Sequence, residues 1–217
     1  MQGLWVLGLL IGIAALPLLP LYLWFRMSKF PLSTKHFLLA LLTGAFSLVL
    51  ALALQLIFSG VAYRPTLGAV LGEVFLRIAL TEELGRFFAL LLFFFFEKIV
   101  IKEKAQAVPV RAAVGLVAGF GFALVESASY GAADLNNALV RAVTAAPLHG
   151  ACGARVGRVF SLYAIKPVTA FVQFISAVGI HGLYNLLVIS PGIAGIVPVF
   201  VSFAALVASM QAMRREL

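Results

Sequence analysis

The sequence predicts an all-α fold, a polytopic membrane bundle of about seven transmembrane helices. Hydrophobic residues make up 63% of the chain and charged residues 11%, and the mean hydropathy is +1.11. A soluble domain usually has about 45–50% apolar and about 25% charged residues. The apolar residues form runs of about 20 or more, long enough to cross the hydrocarbon core. Because 217 residues leave little else, we expect one transmembrane domain over residues 1–217.

Charged or Pro/Gly-rich breaks divide the apolar residues into seven predicted spans. They cover residues 3–25, 36–58, 67–96, 109–130, 137–160, 167–189 and 192–211. The first span has no early basic region and is longer than the apolar part of a signal peptide, so we expect it to be retained. The second and seventh spans are mainly apolar, whereas the third to sixth carry the ionisable residues from which function can be argued.

The basic residues predict topology and not nucleic-acid binding, although the net charge is +8. Alternate connections carry 12 of the 16 Lys and Arg residues: Arg26, Lys29, Lys35, Lys98, Lys102, Lys104, Arg111, Arg155, Arg158, Lys166, Arg214 and Arg215. Only Arg64 and Arg141 lie on the other side. The positive-inside rule therefore predicts a multi-pass plasma-membrane protein with an external N-terminus and a cytoplasmic C-terminus. The single cysteine excludes an internal disulfide.

The third span carries the richest polar cluster, Thr81-Glu82-Glu83-Leu84-Gly85-Arg86. An ionisable group at the centre of a membrane helix costs about 2.5–3.5 kcal/mol on insertion scales, so such a group is a functional candidate. Helical spacing lets Arg86 neutralise either glutamate. Adjacent glutamates point about 100° apart, which predicts one catalytic and one supporting carboxylate. The alternative is a charge cluster that only holds helices together.

Glu73 and Arg77 form another pair at i, i+4 earlier in the third span. They lie near its outer end, where long side chains can reach the interface. We interpret this pair as structural.

The fourth span combines small residues with a carboxylate. Gly115 and Gly119 form a small-xxx-small surface that lets a neighbouring helix approach closely. Phe122 and Glu126 share one helix face. Glu126 is therefore a candidate site residue, with an interfacial carboxylate as the alternative.

The fifth and sixth spans each add a histidine. His149 reaches the middle of the membrane if its helix continues past Arg155 and Arg158, which we expect. In the sixth span, His181 and Asn185 are at i, i+4 and can together hold a water or donate to an oxyanion. A polar contact between helices is the alternative for this pair.

Together these motifs resemble the PrsW family of intramembrane proteases, which is related to the CAAX prenyl proteases and bacteriocin-immunity proteins. The resemblance rests on Glu82-Glu83 followed by a basic residue, Phe122-x-x-x-Glu126, His149 and His181-x-x-x-Asn185, within the core 67–189. The family usually has lysine where this chain has Arg86, whose fork geometry differs. The CAAX branch usually ends the second motif in histidine, so Glu126 favours the PrsW branch.

The resemblance implies a glutamate-dependent peptidase with a cavity among the third to sixth spans. Glu82 or Glu83 would activate a water as general base, and we favour Glu82. The remaining catalytic candidates, which would orient the water or stabilise the oxyanion, are Glu126, His149, His181 and Asn185. Arg86 and Phe122 would support them. The expected substrate is a single-pass membrane protein in the lipid bilayer, such as an anti-sigma factor.

Three other interpretations stay open at this point. We expect no cofactor because the chain has no HExxH motif. A divalent metal such as zinc is the alternative, with Glu82, Glu126, His149 and His181 as ligands. Intramembrane ionisable groups also occur in proton-coupled transporters, although the chain shows no internal repeat. The third possibility is a non-catalytic immunity-type binding protein with the same fold.

Overall fold

The computed structural model describes residues 2–28, 30, 32–58, 66–96, 107–132 and 134–216. These residues form helices in this order: α1 (Gln2–Ala15), α2 (Leu18–Met27), α3 (Thr34–Ile57), α4 (Leu67–Leu71), a π-helical segment (Gly72–Leu80), α5 (Thr81–Phe96), α6 (Ala107–Gly131), α7 (Leu135–Leu162), α8 (Pro167–Ile189) and α9 (Ile196–Arg215). The all-α membrane bundle is therefore confirmed.

The helices follow the seven predicted spans with two local differences. A turn at Leu16 and Pro17 separates α1 from α2 within the first span. The last helix, α9, is displaced along the chain by four residues, since it begins at Ile196 and ends at Arg215. Within the described residues, five helices are long and apolar enough to cross a membrane. The continuous run from α4 to α5 and the helix α7 fall outside that set.

Helices α6 and α7 form an extensive interface because glycines face backbone on both sides. A Cβ atom on Gly115 would clash with the carbonyl of Gly153, and one on Gly119 would clash with the carbonyl of His149. The predicted small-residue surface is thus confirmed. It brings Glu126 of α6 and His149 of α7 within hydrogen-bond distance.

Helix α3 supports the opposite side of the bundle by a similar close approach. A Cβ atom on Gly85 of α5 would lie 2.8 Å from the carbonyl oxygen of Ser47 and 2.7 Å from the amide nitrogen of Ala51. This approach places the last turns of α3 beside the two adjacent glutamates of α5.

Helix α8 packs against α7 and the π-helical segment. The Phe75 ring occupies the space that a side chain on Gly182 would need. The hydroxyls of Thr144 and Tyr184 form a 2.8 Å hydrogen bond between α7 and α8. These contacts orient the face of α8 that carries His181 toward the interior, where His181 is buried.

One end of the bundle collects basic side chains from several helices. Arg214 donates to the Ser28 hydroxyl at 3.2 Å, and Arg158 pairs with Glu216 at 2.8 Å. The ends of α2, α7 and α9 therefore lie together, as the predicted topology requires. Five of the basic residues used for that prediction lie outside the described residues: Lys29, Arg64, Lys98, Lys102 and Lys104.

Candidate active site

The ionisable residues of four helices meet in one polar cluster inside the bundle. Helix α5 contributes three of them, and α6, α7 and α8 contribute one each: Glu82, Glu83, Arg86, Glu126, His149 and His181. All are buried except Glu126, which is nearly so. The convergence of the third to sixth spans on one cluster is thus observed.

Glu83 is fully engaged within this cluster. One carboxylate oxygen forms an ion pair with Arg86, three residues along α5, and both side chains are completely buried. The other oxygen, Oε1, lies 2.8 Å from Nδ1 of His181. Each oxygen of Glu83 therefore already has a partner within the cluster.

Glu82 differs from Glu83 in having a carboxylate oxygen without a partner in the described part of the chain. Its Oε2 is buried and has no hydrogen-bond partner among the described residues. The nearby Nε2 of His181 is 3.5 Å away. The other oxygen, Oε1, faces the side-chain amide of Gln55 on α3, also at 3.5 Å. The two adjacent glutamates thus have different environments, as their angular separation on the helix predicts.

His149 is held from both sides in one tautomer. Its Nδ1 lies 3.2 Å from Nη2 of Arg86, and its Nε2 lies 2.8 Å from Oε2 of Glu126. A guanidinium can only donate, so Nδ1 of His149 must accept, and the proton of the neutral ring is on Nε2. The Phe122 ring packs 4.7 Å from the His149 ring and 4.9 Å from the Arg86 guanidinium carbon.

His181 presents the opposite arrangement. A carboxylate only accepts, so Nδ1–H of His181 donates to Glu83, and the neutral ring directs the lone pair of Nε2 toward Glu82. A carboxylate bonded to the far nitrogen fixes ring orientation and raises the basicity of the near one. The two imidazole rings stand nearly perpendicular, with centroids 4.9 Å apart.

Arg141 and Gln55 are two members of the site that sequence reasoning missed. Arg141 of α7 forms a 2.6 Å ion pair with Oε2 of Glu126, although its position near a span end made it a topological charge only. Gln55 faces Glu82 from the last turn of α3. The available signal for Gln55 was a single side-chain amide in a mainly apolar span.

Two predicted polar positions remain apart from this network. Asn185 is half-buried one turn beyond His181, and its side-chain amide forms no hydrogen bond with the described residues. Its catalytic role stays a prediction. The pair of Glu73 and Arg77 forms in the π-helical segment, with side chains 34% and 35% exposed, in agreement with a structural role.

The cluster has the donors and the charge that a divalent cation needs. Glu82, His149 and His181 each offer one ligand atom, and these atoms lie within 4.8 Å of one another. Two imidazoles and a carboxylate are a ligand set of catalytic zinc sites. Glu126, predicted as a fourth ligand, is outside this group, and its Oε2 contacts His149 and Arg141.

Comparison with known proteins identifies one family. The sequence model of the family described as "PrsW family intramembrane metalloprotease" matches residues 33–210. The matched segment contains every residue of the cluster. No match is found among curated proteins or among solved structures.

Proposed function

The chain belongs to the PrsW family of intramembrane metalloproteases, and from this premise we propose that it hydrolyses a peptide bond of a membrane protein with a water activated at Glu82. The family makes the chain a membrane-embedded peptidase. The observation that carries the finer proposal is the free, buried Oε2 of Glu82 beside Nε2 of His181. Glu83 has both oxygens engaged and serves as a supporting carboxylate.

The charges of the cluster support this division of roles. Glu83 is paired with Arg86, and Glu126 is paired with Arg141. Glu82 has no cation of its own, and both histidines can be neutral in the observed hydrogen bonds. The cluster therefore carries one uncompensated negative charge, on Glu82. In a medium of low dielectric constant this charge strongly favours a proton or a cation.

In the proposed reaction Glu82 accepts a proton from the attacking water as general base. The water oxygen forms a bond to the carbonyl carbon of the substrate. The C–N bond then breaks as the proton on Glu82 passes to the departing amine. His181, oriented by Glu83, holds the water through Nε2, and the amide of Asn185 donates to the developing oxyanion.

A divalent metal fits the same site, and the expectation of a cofactor-free site has no support from these findings. Glu82, His149 and His181 would hold the ion, and its charge would offset the excess negative charge at Glu82. When bound, it would supply Lewis-acid polarisation of the scissile carbonyl. His149 would have to exchange its contact with Arg86 or Glu126 for the ion.

Removal of a bound metal is expected to stop cleavage. Elemental analysis of the purified protein should find about one divalent ion per chain, and chelation should lower kcat by about two orders of magnitude. His181→Gln should lower the metal content, whereas His36→Gln, at the start of α3, should not. If metal-free protein cleaves at the original rate, the metal has no role in the reaction, but Glu82 can still be the general base.

The proposed substrate is a single-pass membrane protein, such as an anti-sigma factor, cut in the outer half of the bilayer. If the basic end of the bundle faces the cytoplasm, as the positive-inside rule predicts, the far end is external. Glu126 lies five residues before the end of α6 at Gly131, a depth of about 7.5 Å at the helical rise. The site is then closer to the external surface.

The direct test is cleavage in vesicles that contain the protein and single-pass substrates in ¹⁸O-labelled water. We expect new fragments whose carboxyl terminus carries one ¹⁸O, with the cut in the outer half of the substrate helix. Mass spectrometry of the fragments reads both results. Intact substrates together with proton flux across the vesicles would instead indicate the transporter. Intact substrates without flux would indicate the non-catalytic protein.

A further inference from the structure

We propose that Arg141 is a positioning residue of the active site, which acts on the reaction through Glu126 and His149. This proposal rests on the proposed function in one respect, that the reaction takes place at the polar cluster. Arg141 contacts neither of the two groups proposed to hold the water, Glu82 and His181. Any effect of Arg141 on the reaction must therefore pass through the side chains that lie between Arg141 and these two groups.

The first step of the argument is that one oxygen atom joins Arg141 to His149. Oε2 of Glu126 lies 2.6 Å from Nη2 of Arg141 and 2.8 Å from Nε2 of His149. An ion pair of this length in a largely buried position is a strong electrostatic contact. Arg141 therefore fixes the position of the oxygen that accepts the His149 proton.

The second step is that Arg141 is itself held in place. Its guanidinium lies over the Tyr130 ring, with 4.1 Å from its central carbon to the ring centroid. Its side chain is 23% exposed, whereas that of Glu126 is 12% exposed. Arg141 thus covers the outer side of Glu126, and a cation over an aromatic face is stabilised there.

The third step is that His149 needs both of its partners. Arg86 directs its N–H toward Nδ1, which leaves the proton on Nε2. Nε2–H in turn requires an acceptor, and the acceptor is the oxygen held by Arg141. Without Arg141, Glu126 would be a nearly buried carboxylate with no cation, and it would lose the contact that orients it. His149 would then lose its fixed tautomer and ring orientation.

The experiment compares Arg141→Met with Arg141→Lys and with a matched control. The control is Arg77→Met, which removes the arginine of another glutamate pair in the same protein, one outside the cluster. Two quantities are measured on the full chain in lipid: kcat and KM for cleavage, and the ¹⁵N histidine spectrum of the metal-free protein. The chain has three histidines, so His149 can be assigned by substitution.

We expect Arg141→Met to lower kcat by about 10- to 100-fold with little change in KM, as for loss of a partner that orients a ligand histidine. The ¹⁵N signature of a proton on Nε2 of His149 should be lost as well. Arg141→Lys should recover most of kcat and the signature, and Arg77→Met should match the original protein in both.

Two results would overturn the proposal. One is an unchanged His149 spectrum in Arg141→Met, whatever happens to kcat, and the other is an unchanged kcat. If Arg141→Met does not fold, Arg141→Gln carries the same test. If the original protein cleaves no substrate, the proposed function fails, while the spectra still decide whether Arg141 fixes the tautomer of His149.

Discussion

Glu82→Gln is expected to abolish cleavage and, with both proteins metal-free, to leave the variant at least as stable as the original. The substitution keeps the size of the side chain and removes the free, buried carboxylate. A positioned general base contributes about 10²- to 10⁴-fold to the rate, so kcat should fall by at least that range. Because Glu82 carries the uncompensated charge of the cluster, its removal relieves a desolvation penalty.

Glu83→Gln is the matched comparison, and its main effect is expected on stability. It breaks the buried ion pair and leaves Arg86 as an isolated cation. Breaking such a pair costs about 3–5 kcal/mol. Thermal unfolding and kcat, measured on both variants, should therefore separate the two glutamates. The general-base assignment is wrong if Glu82→Gln folds and still cleaves at the original rate.

Gly119→Ala has the second large expected effect, a loss of both stability and activity. The new methyl group would meet the backbone of His149 and Gly150 at the interface of α6 and α7. Backbone atoms in two packed helices cannot move aside individually, so the helices must separate. Overpacking of this kind costs about 1–3 kcal/mol. Separation also pulls Glu126 away from His149, so kcat should fall together with the free energy of unfolding.

Gly179→Ala on α8 is the control for this substitution. A methyl group there meets nothing within 4 Å. Alanine is the better helix former by about 1 kcal/mol, so stability should be unchanged or slightly higher and activity retained. Equal behaviour of the two variants, measured by thermal unfolding and by cleavage rate, would show that the α6–α7 contact does not position the site.

The features of this protein that could be predicted from the sequence are those that the geometry of a single helix determines. Apolar runs predict the helices because the bilayer fixes their length. The spacing of Gly115 and Gly119 predicts the close interface, and the adjacent positions of Glu82 and Glu83 predict two different roles. Each of these features depends on the geometry of one helix, so it can be read from local spacing.

The remaining features depend on how helices are placed against each other. Spacing allows Arg86 to pair with either glutamate, and the packed helices place both Arg86 and His181 against Glu83. In the sequence, Arg141 reads as a charge near a span end. Its ion pair with Glu126 forms only when α6 and α7 are packed together. The same holds for Gln55, which reaches Glu82 only because α3 approaches α5 at Gly85.

The attachment of α8 bears on how the site could be switched on and off. Beside the cluster, α8 meets α5 mainly through His181, which forms a hydrogen bond with Glu83 and lies 3.5 Å from Glu82, whereas α6 and α7 are joined by continuous backbone contact. A small outward movement of α8 would break few apolar contacts with α5. It would nevertheless remove His181 from Glu82 and dismantle the water-holding pair. A displacement that opened the contact between α5 and α8 to a substrate helix would thus keep the enzyme inactive until the two helices came together again.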